Sequence, residues 1–293
     1  MRETKSSNLL FTVITCNRKS ILCHEANVAP IKEAFSACYQ SPHVENSCIC
    51  LTSRSYLLAR CAQASGNHIE HWRKYNMKKS KRYDTSHLIE DQSELGSRGR
   101  VLKNKLGITS KREMDKREKA EQIRTIEELT NIFGVDHRFT ASDICKIHRL
   151  WLSNIYVWAG KYRQVTMSKN SFPFAFPAQI HRLMTEFEKG PLHKFTPCRF
   201  KTFGEVIKAL AIVHTELVLI HPFREGNGRI ARMLATLMVL QAGLPPLDFR
   251  NMFGRGKKDY IKAVQAGMAR NYKPMEKVFA AVIRKTLRVR EQK

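Results

Sequence analysis

The stretch His221-Pro-Phe-Arg-Glu225-Gly226-Asn227-Gly228-Arg229-Ile-Ala-Arg232 decides how the rest of the chain is read. It joins two helical patterns. Ahead of it, Phe203, Val206, Ile207, Leu210, Ala211, His214, Leu217 and Val218 fall on one stripe of a helix expected over about 203–219. Behind it, residues 230–242 (IARMLATLMVLQA) are apolar nearly all round. A helix apolar on every face is a buried one. Gly243-Leu-Pro245-Pro246 ends it. The chain therefore runs helix, loop, buried helix, with the second helix starting near Gly228.

The loop between them has the composition of an anion site. Gly226-Asn227-Gly228 lets successive backbone N–H groups turn inward as a nest. The first turn of the following helix adds free N–H groups and the positive end of its dipole. Arg229 and Arg232, three residues apart, project from one face of that turn and can hold phosphate oxygens through paired donors. Glu225 sits at the lip. A carboxylate beside phosphates is repelled unless a cation lies between, and a Mg2+ bridging Glu225 to a di- or triphosphate removes that conflict. His221, with an ordinary pKa of roughly 6.5, can accept a proton near neutral pH. A base, a metal ligand, a nest and two arginines in one short segment specify phosphoryl or nucleotidyl chemistry.

Working outward, most of the chain from residue 110 reads as helix. Ser110-Lys-Arg-Glu113 is a capping-box pattern before a charged helix to about Phe133. Thr140-Ala-Ser-Asp143 is a second, leading into Ile144, Ile147, Leu150 and Trp151 on one apolar face. Further helices are expected over about 177–189, opening on Pro177, and over 257–269 and 274–290. Residues 163–176 (RQVTMSKNSFPFAF) break the period. Val165 and Met167 alternate with polar residues, Ser168-Lys169-Asn170-Ser171 supplies a turn, and Phe172, Phe174 and Phe176 alternate after it. That is a β-hairpin, with Pro173 confining the second arm to an edge. The fold class expected is mainly α: a helical bundle with a short hairpin. Trp158 and Phe223 read as core. His148 and His214 read as buried and hydrogen-bonded, and the three phenylalanines as packing the hairpin onto the core.

Composition sets the bounds. The 293 residues are 43% hydrophobic and carry a formal charge of +25. No apolar run approaches the roughly 18 to 20 residues of a membrane helix. Before Arg73 there are seven Lys/Arg and five Asp/Glu, so +23 of the charge lies in residues 73–293. Such a surplus suits polyanions in general. Six of the eight cysteines (Cys16, Cys23, Cys38, Cys48, Cys50 and Cys61) lie in the first 61 residues, where no helical or strand period is sustained. Residues 8–15 sit at the lower edge of a signal segment without a clean cleavage site. Cys48-Ile-Cys50 is spaced too tightly for a structural zinc site. Residues 1–76 read as a poorly structured extension, with Met77-Lys-Lys-Ser-Lys-Arg as an alternative start. Residues 77–135 read as an N-terminal helical or regulatory segment, and 136–290 as the core domain.

The segment 221–232 resembles the signature of Fic-domain (Fic/Doc family) proteins, H-x-F-x-(D/E)-G-N-G-R-x-x-R, at every fixed position. Ile147-His148, with Ile155-Tyr156-Val-Trp158-Ala159-Gly160, is similar to that family's I-H…I-Y-x-W-A-G run. The hairpin around Ser168 and Lys169 resembles its flap. The resemblance covers roughly 85–285 and implies the Fic fold, a helical bundle with a hairpin flap. It implies an enzyme, a protein adenylyltransferase using ATP and Mg2+. In that role His221 takes the proton from a Ser, Thr or Tyr of a target protein, and Glu225 holds Mg2+. Gly226, Asn227 and Gly228 hold phosphates through backbone and side-chain donors, and Arg229 and Arg232 neutralise the outer phosphates. Ser168, Lys169 and Asn170 dock the target as an added strand, and Tyr260 lines the adenine pocket.

Regulation is implied as well. Many members carry an inhibitory Ser/Thr-x-x-x-Glu helix whose Glu pairs with the second motif arginine, here Arg232. Ser86-His-Leu-Ile-Glu90 fits except that Asp91 replaces Gly or Asn, and Ser41-Pro-His-Val-Glu45-Asn46 fits in full. Val101-Leu-Lys-Asn-Lys-Leu-Gly-Ile108 resembles members held by a separate small antitoxin. The partners implied are a target protein and such an antitoxin, with no membrane and nucleic acid disfavoured. The place implied is the cytoplasm, or export as an effector. The rival functions are transfer of another nucleotide or phosphoryl group, removal of AMP by the same site, and a basic nucleic-acid-binding module.

Overall fold

A computed structural model describes residues 12–16, 19–23, 84–169 and 172–291. The chain divides into two units, Met1–Ser53 and Arg54–Lys293. In the first, β1 (Thr12–Cys16) pairs antiparallel with β2 (Lys19–Cys23), Thr12 opposite Cys23 and Cys16 opposite Lys19. This hairpin lies where the sequence pattern gave no element. The Glu45 motif and the cysteines between 38 and 61 lie outside the described residues.

The second unit is a helical bundle. Its described part opens with an irregular arm, residues 84–110, holding a three-residue 3-10 turn, Ile89–Asp91, and an isolated antiparallel bridge between Ser93 and Leu102. The expected helical character of 77–135 thus begins only at α1 (Lys111–Ile132). Asn104 folds the arm on itself: its Nδ2 donates to Glu94, Leu102 and Ile108 oxygens, and its Oδ1 accepts from the N–H groups of Leu106 and Ile108. The N–H of Lys105 then donates to the Ile155 carbonyl at 2.8 Å, docking the arm on the bundle.

Both sequence-marked caps start helices, but differently. At α1 the Ser110 hydroxyl accepts from the Glu113 N–H at 3.5 Å, and the reciprocal half of the box is not made. At α2 (Ala141–Leu152) the box is complete, with Thr140 and Asp143 exchanging both bonds. The helix is thereby fixed one residue after Thr140 and turns Ile144, Ile147, His148, Trp151 and Leu152 inward. After α2 comes the hairpin of β3 (Ser168–Lys169) and β4 (Phe172–Pro173), Ser168 opposite Pro173 and Lys169 opposite Phe172. Asn170 of the turn lies outside the described residues. α3 (Pro177–Phe187) starts on its proline. A π turn and a short helical turn carry the chain to Phe195.

The centre of the bundle is α4 (Phe203–Ile220) and α5 (Asn227–Gln241). α4 carries its own capping box, Thr202 with Glu205. It packs on α5 and on α7 (Lys273–Glu291), while α6 (Lys257–Ala266) lies against α7. α5 is buried nearly all round, as its composition predicts, and touches α1 and α2. Phe203 departs from the expected α4 stripe: it stands at the first turn, exposed beyond the core's edge. Among the described residues no helix is long and apolar enough to cross a membrane.

Candidate active site

The loop 221–226 joins the two central helices, so its geometry is set by the best-packed part of the fold. His221 closes α4 in the left-handed conformation, φ 54° and ψ 57°. A non-glycine residue held there is strained, and such strain collects at functional sites. Its Nδ1 lies 3.1 Å from the Val218 carbonyl, which accepts only if Nδ1 carries the proton. That tautomer leaves Nε2 as an acceptor, with no partner among the described residues. The ring is stacked flat against Phe174, centroids 3.6 Å apart. Burial pushes its pKa down to about 4, against a smaller upward pull from the Val218 carbonyl. The imidazole is therefore neutral at pH 7.

The turn that follows depends on Gly226. Its φ is 85°, and a Cβ there would lie 2.5 Å from the Trp151 ring. Asn227 spans the loop like a second peptide: Oδ1 accepts from the Phe223 N–H at 2.8 Å and Nδ2 donates to the Phe223 carbonyl at 2.7 Å. The Asn227 amide thus shapes the loop, satisfying buried backbone of Phe223. The N–H groups of Asn227 and Gly228 have no acceptor among the described residues.

Charges ring this opening. The Glu225 carboxylate is half exposed and accepts from the Gly226 N–H at 2.8 Å and from Arg229 Nη2 at 3.2 Å, both on Oε1. The Arg229 guanidinium lies over the Trp151 ring at 4.5 Å and pairs with buried Glu118 at 2.5 Å. Arg232 lies over the Phe253 ring at 4.9 Å. Burial lowers its pKa from the ordinary arginine value, and no ion pair reaches it among the described residues. The Tyr260 hydroxyl and His214 Nε2 share a hydrogen bond at 2.9 Å. Ser168 and Lys169 are exposed on the hairpin.

Two expectations about supporting residues change. Glu90 does not reach Arg232. Its carboxylate accepts from the Gln164 N–H at 2.6 Å, and its carbonyl accepts from Arg224 Nε at 2.9 Å. Ser86 is exposed, its N–H on Asp84. The Ser86–Glu90 segment is a turn braced on the base of the hairpin, not an inhibitory helix, because the arm is held by Arg224 and Asn104 instead of helical bonds. Phe176 is exposed at the start of α3, while Phe172 packs against the core and Phe174 stacks on the His221 ring. The buried readings of Trp158, Phe223, His148 and His214 agree with the structure.

Three residues that the motif did not point to hold the site. Buried Arg163 donates Nε to the His221 carbonyl at 2.7 Å, and Nη1 and Nη2 to the Val165 and Ala175 carbonyls, both at 2.6 Å. It ties the base to both arms of the hairpin. Burial lowers its pKa to about 10, so it stays charged at neutral pH. His148 accepts from the Gly160 N–H at 2.7 Å and reaches the Glu225 carbonyl at 3.2 Å, stacked on Phe223. Glu118 is the third. Its only sequence signal is an acidic residue on the buried stripe Met114, Glu118, Thr125, Leu129 of α1.

The fold and this loop define a helical bundle with a base, a carboxylate, a nest and two arginines gathered at one helix junction. The Fic/DOC family model matches residues 138–239, the span from α2 to α5. Residues 138–239 thus carry a Fic/DOC-type domain. It is 30% identical over 134 residues to protein adenylyltransferase Fic of Nematostella vectensis, covering 45% of this chain and 30% of that one. It is 32% identical over 145 residues to protein adenylyltransferase VbhT of Bartonella schoenbuchensis, covering 49% of this chain and 30% of that one. The chain thus spans less than a third of the length of these relatives. Its fold is shared with the BepC protein of Bartonella tribocorum, a VirB-translocated effector solved with AMPPNP. That likeness has a TM-score of 0.53 at 23% identity, covering 67% of this chain and 97% of that one.

Proposed function

We propose that this chain transfers AMP from ATP to a hydroxyl side chain of a target protein. The observation that carries the reading is His221. It is held neutral, with Nδ1 on the Val218 carbonyl and Nε2 open, beside a nest and two arginines. The names of the adenylyltransferase relatives and the AMPPNP in the BepC crystal support it.

The target hydroxyl gives its proton to His221 Nε2 as its oxygen bonds to the α-phosphorus. The bond from that phosphorus to the bridging oxygen breaks, and pyrophosphate leaves with the pair. The open N–H groups of Asn227 and Gly228 and the dipole of α5 stabilise phosphate charge. Arg229 and Arg232 hold the outer phosphates. Mg2+ fits here as an ion shared between one carboxylate and substrate oxygens, the way this ion is usually held beside phosphates. Glu225 is the residue that would take it, since its accepted bonds both go to Oε1. When bound, the ion would neutralise charge on the phosphates. Tyr260 can offer adenine its ring, its hydroxyl being bonded to His214. The exposed strand Ser168–Lys169 can take the target's backbone as an added strand. A separate antitoxin carboxylate would find Arg232 ready to pair.

The test compares ATP labelled at the α-phosphate, ATP labelled at the γ-phosphate and UTP labelled at the α-phosphate, each with Mg2+ and host-cell lysate. Label only from the first supports AMP transfer. Label from either of the others in its place overturns it in favour of phosphoryl or uridylyl transfer.

A further inference from the structure

Glu118 sits in the middle of α1 with 1% of its surface exposed. Burying a carboxylate costs several kcal/mol unless it is paired and hydrogen-bonded. Here both oxygens are engaged. Oε1 accepts from the Tyr156 hydroxyl at 2.8 Å, and Oε2 pairs with Arg229 Nη1 at 2.5 Å. The Glu118 carbonyl also accepts from Trp151 Nε1 at 2.8 Å. One residue of α1 therefore fixes both the guanidinium of Arg229 and the ring beneath it.

Arg229 has a second carboxylate within reach. Glu225 is four residues earlier, and an arginine so placed closes readily on its own glutamate. That closure would occupy the carboxylate that a cation needs and the fork that phosphates need. In the structure it is incomplete: Arg229 Nη2 stands 3.2 Å from Glu225, against 2.5 Å for the contact with Glu118. The guanidinium has five N–H donors. Those not spent on the two carboxylates remain for a ligand at the nest.

We propose that Glu118 is a positioning residue that limits Arg229 to a single contact with Glu225, keeping Glu225 Oε2 open to a divalent cation and the outer edge of Arg229 open to a polyphosphate. The inference rests on the phosphate and cation roles given above to Arg229 and Glu225. It assigns to α1, outside the matched span 138–239, a part in ligand binding.

The test has a ligand-free arm and a binding arm. In the crystal structure of Glu118→Gln without ligand, Arg229 is expected to close on Glu225 through both of its terminal nitrogens. An Arg229 that stays in place overturns the proposal. Should Glu118→Gln fail to fold, Glu118→Asp withdraws the charge by one methylene, with the same movement expected. In calorimetric titration with ATP and Mg2+, Glu118→Gln is expected to bind about tenfold more weakly. It is also expected to require more Mg2+ for half-maximal binding. The loss should vanish when Glu118→Gln is compared with Arg229→Gln in one background. Equal affinities for wild type and Glu118→Gln, tighter binding by Glu118→Gln, or two losses that simply add would overturn it. A wild type that binds no nucleotide, alongside an Arg229 that closes in the variant, would sink the ATP reading and leave the brace standing.

Discussion

His221 concentrates the chemistry in one side chain, and its environment predicts its behaviour. Burial under Phe174 disfavours the imidazolium, so NMR titration of the His221 ring is expected to show a midpoint near 4. A midpoint at the ordinary value of roughly 6.5 would show a ring open to water. The consequence for rate is that transfer should not fall on the acid side between pH 7 and 5 through loss of this base. Gly226 is equally exacting. Gly226→Ala must accept a left-handed φ and a Cβ inside contact distance of Trp151, and is expected to cost about 3 kcal/mol of stability in denaturant unfolding. His221, Glu225, Gly226, Arg229 and Arg232 were legible as a group because they lie within one short segment, and the structure gathers them at one helix junction. The bonds of Asn227 to Phe223 were not legible, because spacing does not tell whether an amide faces a ligand or its own loop.

At the scale of elements, caps and periods were well marked. Thr140 with Asp143 and Pro177 each start the helix they announce. The hairpin falls where the period changes, shortened to two residues a strand. Less was legible where residues distant in sequence meet. Arg163 lies 58 residues before His221, and Glu118 lies 111 before Arg229. Neither carries a local pattern beyond a charge near an apolar face. Glu90 shows the opposite failure, a local pattern that the tertiary context overrides. Its carboxylate braces Gln164 and its carbonyl holds Arg224, so it supports the hairpin base and the catalytic loop together. Glu90→Gln is therefore expected to lower AMP transfer, with ATP affinity near wild type. An inhibitory Glu90 would instead give a gain. Arg163→Lys, which keeps the charge and loses the fork, is expected to reduce turnover about ten- to a hundredfold with a smaller effect on ATP affinity. Unchanged turnover would show that the hairpin and His221 are not coupled through Arg163.

At the scale of the whole molecule, three histidines among the described residues are kept neutral by burial. The pKa is lowered to about 3 for His148 and His214, and to about 4 for His221. In the unfolded chain each takes up a proton below about 6.5, while in the folded chain none does until well below 5. The unfolded state therefore binds more protons as the pH falls from about 6.5 towards 4, and stability falls with it. Each histidine contributes about 1.4 kcal/mol per pH unit across that window. Denaturation midpoints should drop steeply between pH 6.5 and 4.5, and His214→Gln should flatten the histidine share of that slope by about a third. The same packing that sets these values holds α4 against α5 and so holds the loop. Its rigidity explains how a site on a six-residue connection can be specific. The most direct test of that site is transfer from ATP labelled at the α-phosphate by the wild type and by His221→Ala. Both must be shown to be folded, and both must be given Mg2+ and the same lysate. Label on a protein target in the wild type and none with His221→Ala is the result predicted. Equal label from the two would mean that the proton leaves by another route, and that the chemistry does not run through His221.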